Sequence, residues 1–112
     1  MLFQAEFRLI RGHIPPMATR FGFDANMEKN RFEDVVCIDQ TRVRPHSGNY
    51  IHASWVGITA TRKDILTQLP RPESSKDFWQ MVLDTDVQGI LVILSHGEFA
   101  MFHANNVFPD EQ

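Results

Sequence analysis

The sequence predicts an α/β (α+β) fold, a mixed twisted sheet flanked by helices, and three features predict it. Apolar residues recur at helical spacing over 2–10 and again over 78–82. Short β-branched runs separated by turn formers occupy residues 34–68. An unbroken apolar run, Gly89-Ile90-Leu91-Val92-Ile93-Leu94, follows the second helical segment. Such a run without alternation suits a strand covered on both faces. At 112 residues the chain reads as one domain with a modest core.

Taken in order, Leu2, Phe3, Phe7 and Ile10 line one face of a short amphipathic helix that ends near Gly12. Pro15-Pro16 then stops regular structure, and Met17 to Asn30 reads as an ordered crossing loop with one helical turn. Val35-Val36-Cys37-Ile38 and Thr41-Arg42-Val43 form a first strand interrupted by polar residues. Pro45 to Asn49 is rich in turn formers, Tyr50 to Val56 alternates as a second strand, and Lys63 to Gln68 is a third. Asp39 through Gln68 is therefore expected to be an antiparallel meander. A helix opens over Pro72 to Asp77, with Ser74 or Ser75 as cap and Asp77 suited to the positive end. Phe78, Met81 and Val82 give it an apolar face, and it stops around Asp84 to Asp86.

Composition excludes several function classes. Hydrophobic residues are 43% and charged residues 22%, so a packed domain is expected. A net charge of -3 carries no basic footprint for nucleic acid, and Arg8, Arg11 and Arg20 lack interleaved aromatics. No segment approaches the roughly 20 apolar residues of a membrane span. Glu6 and Arg8 interrupt the start, so no secretory signal is read. The lone Cys37 fits a reducing compartment, and a cytoplasmic location is expected. His13, His46, His52, His96 and His103 have no ligand spacing, so neither a metal nor any other cofactor is expected.

Five stretches, in order, carry a resemblance. They are Asn26-Met27-Glu28-Lys29-Asn30-Arg31-Phe32-Glu33-Asp34-Val35, Asp39-Gln40-Thr41-Arg42-Val43, Asn49-Tyr50-Ile51-His52-Ala53-Ser54, Ile65-Leu66-Thr67-Gln68-Leu69-Pro70-Arg71-Pro72 and Asp77-Phe78-Trp79-Gln80-Met81-Val82. Together they resemble the N-terminal half of the catalytic domain of the tyrosine-specific protein tyrosine phosphatase family. Residues 1–112 are thus expected to be one truncated domain of that kind.

The resemblance implies a substrate-facing loop formed by Asn30, Arg31, Phe32 and Asp34. Phe32 stands where the family stacks an aromatic on the phosphotyrosine ring, and Asp34 where a carboxylate holds substrate backbone amides. Read without the family, Phe32 is expected to be a core or loop anchor and Asp34 a solvated turn residue. Glu98 aligns with a glutamate that supports the catalytic Arg. As that Arg is not among these residues, Glu98 is expected to be a vestigial support residue, an exposed acid near a strand end.

Departures accompany the matches. Leu69 replaces a turn glycine, which costs about a kcal/mol or more if the turn needs positive φ. His52 replaces an Asn, and His103 to Pro109 retains little of the family's Tyr-Trp-Pro segment. The family's chemistry needs a thiolate and Arg in His-Cys-x-x-Gly-x-x-Arg and an Asp in Trp-Pro-Asp. The first motif does not occur in the sequence, and Phe108-Pro109-Asp110 only echoes the second. Cys37 reads as a small packed apolar residue, so no catalytic residue is assigned.

Three readings follow. The chain is a catalytically inactive phosphatase-like domain that at most binds a phosphotyrosine peptide or another protein chain. Alternatively, it is a fragment of an active enzyme hydrolysing phosphotyrosine. The third reading is a small interaction or dimerisation module that self-associates through an exposed sheet edge.

Overall fold

The computed structural model describes residues 2–10 and 13–109. Arg11, Gly12 and Asp110, invoked above, lie outside the described residues. Helix α1 spans Leu2–Ile10 as expected, and Phe3, Phe7, Leu9 and Ile10 are all exposed on it. After the Pro15-Pro16 break comes a five-residue helix, α2 (Phe21–Ala25), and a 3-10 turn at Met27–Lys29. Helix α2 has no cap from its own flanking residue. Its orphan N–H groups are met instead by a carboxylate distant in sequence. Asp39 accepts from Phe21 N–H at 2.7 Å, Gly22 N–H at 2.9 Å and Thr19 Oγ1 at 2.7 Å. A Cβ at Gly22 would come within 2.9 Å of Arg42 Nε, so a larger residue there would displace that guanidinium.

The sheet is smaller than expected. Strands β1 (Ala53–Gly57) and β2 (Lys63–Thr67) pair antiparallel, with Trp55 opposite Ile65. On the other side of β1, Val43 N–H donates to Ala53 O and Trp55 N–H to Thr41 O, each at 2.8 Å, around a single bridge between Arg42 and Ser54. The meander is thus a hairpin with a rudimentary third line. Val35 to Ile38 is not a strand. That segment is held by side chains: His52 Nε2 lies 2.8 Å from Val35 O, and Cys37 packs inward beside Ala53.

A 3-10 turn at Pro72–Ser74 leads into α3 (Ser75–Thr85), which ends at Asp86 in the left-handed region, φ 54°. Ser74 occupies the N-cap position but makes no side-chain cap bond. The buried core consists of Val43, Ile51, Ala53, Phe78, Met81 and Val107, with Trp55, Ile65, Val82 and Phe108 packed against it. Phe78, Trp79 and Phe108 meet edge to face at 5.1–5.7 Å, and Trp79 Nε1 donates to Val107 O at 3.0 Å. Val107 and Phe108 of the His103 to Pro109 segment therefore belong to the core. Leu69 is not among the described residues with positive φ, so the missing turn glycine carries no backbone cost.

The expected buried strand Gly89 to Leu94 is the clearest departure. It is irregular, and Leu91 and Ile93 are 84% and 83% exposed. Among the described residues no neighbouring strand offers it a ladder, so its apolar side chains stay in water. Helix α4 (His96–Met101) follows, opened by a capping box: Glu98 N–H donates to Ser95 Oγ at 3.1 Å and Ser95 N–H to Glu98 Oε1 at 3.0 Å. The architecture is a mixed α/β arrangement of helices around a two-stranded sheet.

The Gly22 N–H bond, then the Thr19 hydroxyl, Phe21 N–H and the Arg42 charge pull the Asp39 carboxyl down to about 2, against the opposing effect of burial. An ordinary Asp titrates near 3.9, so this carboxylate contributes roughly 1–2 kcal/mol of stability above about pH 4, lost as pH falls through about 2. Asp39→Asn is expected to lower urea-denaturation stability by about 1–2 kcal/mol at pH 7. Acid titration should close the gap between the two proteins between about pH 4 and pH 2.

Candidate functional site

The site is the segment from Lys29 to Val35, and its frame is built on one buried amide. Asn30 is 6% exposed. Its Nδ2 donates to Phe23 O at 3.0 Å, and its Oδ1 accepts the Tyr50 hydroxyl at 2.6 Å. Burial pushes the Tyr50 hydroxyl pKa up, so Tyr50 remains the donor. The backbone on either side is bracketed by one side chain. Gln68 Nε2 donates to Lys29 O at 2.8 Å, while its Oε1 accepts Arg31 N–H at 2.9 Å. A carboxamide is suited to this because it presents a donor and an acceptor together.

Arg31 turns away from solvent and grips the neighbouring turn. Its Nε and Nη2 donate to Leu69 O and Pro70 O, both at 2.9 Å, a use of the guanidinium fork that Lys could not reproduce. Its guanidinium also stacks over Phe102, 4.9 Å from the ring centre. Burial, with the nearby Arg71 charge, lowers the Arg31 pKa against the opposing pull of Glu73. Beyond Arg31 the chain emerges. Phe32 is 51% exposed, and Glu33 and Asp34 are exposed beside it. The chain is caught again at Val35 through His52. Phe32, Glu33 and Asp34 thus span two fixed points, and Phe32 is not a core anchor.

Asn30, Arg31, Phe32 and Asp34 therefore lie on one loop. Glu98 sits apart on α4, four residues before the Phe102 that stacks on Arg31. It is exposed, as expected, but its carboxylate is engaged by Ser95 N–H and hydroxyl, which lower its pKa. It opens a helix and does not end a strand. The sequence signal was present in Ser95-x-x-Glu98. Gln68 and Tyr50 were missed as loop supports, because nothing local links positions nearly 40 and 20 residues from the loop to it. Cys37 is 1% exposed, with its Sγ 3.6 Å from Ser54 Oγ and 3.7 Å from Ala53 O. Among the described residues no cluster of His, Cys, Asp and Glu could hold a metal ion.

The family described as "Protein-tyrosine phosphatase" matches residues 26–112. The chain belongs to that family. Rat tyrosine-protein phosphatase non-receptor type 20 is 34% identical over 110 residues, 93% of this chain and 26% of the relative. Human tyrosine-protein phosphatase non-receptor type 9 is 42% identical over 81 residues, covering 66% of this chain and 13% of the relative. The tyrosine phosphatase-like protein J1 of Microplitis demolitor bracovirus is 42% identical over 73 residues, 61% of this chain and 24% of that protein. The chain thus spans about a quarter or less of the length of these relatives.

The phosphatase loop frame predicts coupled energetics. Tyr50→Phe strips the buried Asn30 oxygen of its donor and is expected to cost about 1–3 kcal/mol in chemical denaturation. Asn30→Ala should cost a similar amount, and the double variant less than the sum, with a coupling of about 1–2 kcal/mol.

Proposed function

We propose that this chain is a phosphatase-like domain whose Asn30 to Asp34 loop recognises phosphotyrosine in a peptide, and that these 112 residues do not themselves hydrolyse it. The observation that carries the reading is the half-exposed ring of Phe32 held between two anchors, Arg31 and Val35. An aromatic wall of this kind offers a phenyl phosphate ring a stacking face worth about 0.5–1.5 kcal/mol. Asp34 beside it supplies a carboxylate for substrate amide N–H groups. The inactivity rests on Cys37. Its thiol is shut off from solvent beside a backbone carbonyl and a hydroxyl, whereas a nucleophile needs an exposed, electropositive loop. Glu98 fits a vestigial support whose carboxylate now caps α4. The reading carries with it a cytoplasmic location and a single phosphatase-like domain over 1–112. It also implies a twisted sheet larger than the two strands described.

Two further readings each have one observation in their favour. A fragment of an active tyrosine phosphatase is favoured by the small share of its relatives that the chain spans. A self-associating module is favoured by the exposed apolar run through Leu91 and Ile93, which offers uncovered apolar surface to a second copy.

Titration with a phosphotyrosine peptide at millimolar concentration should give saturable shifts of the Phe32 to Asp34 resonances. Phe32→Ala should weaken this binding about 3–10-fold, and an absence of shifts in the parent chain would sink the recognition reading. No turnover of an aryl phosphate is expected, whereas turnover abolished by Cys37→Ser would overturn the assigned inactivity. Sedimentation over a range of concentrations tests the third reading: association should be lost in Leu91→Lys/Ile93→Lys, and a chain that is monomeric throughout would reject it.

A further inference from the structure

Residues His46 to Asn49, after the buried Pro45, form an exposed loop strapped along α3 by that helix's own carboxylates. Gly48 N–H donates to Pro45 O at 3.0 Å, closing a turn with Gly48 at φ 81°, where glycine is favoured. At one end His46 N–H donates to Asp84 Oδ2 at 2.9 Å, and His46 Nδ1 lies 3.3 Å from Asp84 Oδ1. At the other, Asn49 Nδ2 donates to Asp77 Oδ1 at 3.0 Å. Asp77 and Asp84 are about two helical turns apart and so share one face of α3. Ser47 lies in the exposed stretch between these two attachments, its Oγ accepting Asn49 N–H at 3.2 Å.

The sequence leading to Ser47 has a distinct charge pattern. No acidic residue occurs from Gln40 to Arg62, and Arg44 precedes Ser47 by three positions. Arg44 is exposed, its Nη2 donating to Asp39 O at 3.1 Å. Arg42, five positions before Ser47, is mostly covered and lies 3.5 Å from Asp39 Oδ1. Any partner reading this segment in the folded protein therefore meets Arg44 first.

We propose that Ser47 is a phosphoacceptor for an arginine-directed serine kinase, and that the phosphate releases the loop from α3. Such a kinase reads the guanidinium of Arg44 with carboxylates, a charge-assisted and bidentate contact that fixes the hydroxyl three residues on. Ser47 Oγ then bonds to the γ-phosphorus of ATP, the bond from that phosphorus to the β–γ bridging oxygen breaks, and ADP leaves. The hydroxyl proton passes to the kinase's catalytic Asp. The product carries a charge of about -1.5 to -2 between two aspartates already committed to the strap. Repulsion acts on Asp77 and Asp84 alike, and the new phosphate oxygens compete for the His46 imidazole. The His46 and Asn49 side chains are exposed while the Asp84 carboxylate is largely covered, so release rests on the charge added beside it. This site uses neither Phe32 nor Asp34 and stands independently of phosphotyrosine recognition.

The test uses the full chain, magnesium-ATP and the catalytic subunit of a cyclic-AMP-dependent protein kinase. Mass spectrometry should find one phosphate, on Ser47, that is absent from Ser47→Ala. Arg44→Ala should slow the initial rate about tenfold or more, the loss of one bidentate contact, without changing the circular dichroism spectrum. No incorporation, or incorporation elsewhere with Ser47 unmodified, would overturn the site. So would labelling of a free peptide over residues 41–50 but not of the folded chain. Hydrogen exchange at the His46 amide should accelerate about fivefold or more on phosphorylation. An unchanged rate in the fully phosphorylated protein would overturn the release of the strap.

Discussion

The buried carboxamide of Asn30 constrains everything the candidate site does. A polar side chain in the interior costs several kcal/mol unless its hydrogen bonds are met, so its partners must be present before the loop can adopt this course. Those partners come from Phe23 on α2 and Tyr50 just before β1. Gln68, just after β2, adds the second hold by spanning the peptide units on both sides of Asn30. The loop is thus fixed by residues scattered over more than 40 positions, and Phe32 inherits a defined place without being packed itself.

Ranked by environment, few of the polar contacts matter for stability. Arg62 and Asp64 form a well-aligned pair, and each shifts the other's pKa, but both are exposed and solvent screens them. Asp39 is different, because it is largely covered and meets four donor groups of the Thr19 to Gly22 segment and Arg42. It joins the α2 segment to the chain entering the sheet, while Phe78 and Met81 carry the apolar side of the same body. Removing an apolar group from that small cluster would cost more than removing any surface ion pair.

Much of this was legible in the sequence. The ends of α1 and α3 follow from apolar spacing, and β2 from its bounded run, since each depends on local pattern. β1 begins three residues later than the alternation suggested, because Ala53 N–H turns back to Ile51 O in a tight turn that displaces Tyr50 to His52 from the ladder. Val35 to Ile38 and Gly89 to Leu94 have strand composition but no ladder. Composition reports what a segment could pair with, and pairing depends on a neighbour elsewhere. The loop residues Asn30 to Asp34 were visible by resemblance. The mechanism that holds them was not, because Tyr50 and Gln68 gain their roles only through tertiary contact.

The two tryptophans divide the molecule for spectroscopy. Trp55 lies in the hairpin with the Lys63 ammonium 5.8 Å from its ring centre. Trp79 lies on α3 with its indole N–H bonded to Val107 and its ring edge-on to Phe78 and Phe108. Undocking of the C-terminal segment would break the hydrogen bond of one indole and leave the strand pairing around the other in place. Single-tryptophan variants would therefore separate the fluorescence of hairpin melting from that of C-terminal release, giving each half of this small domain its own optical probe.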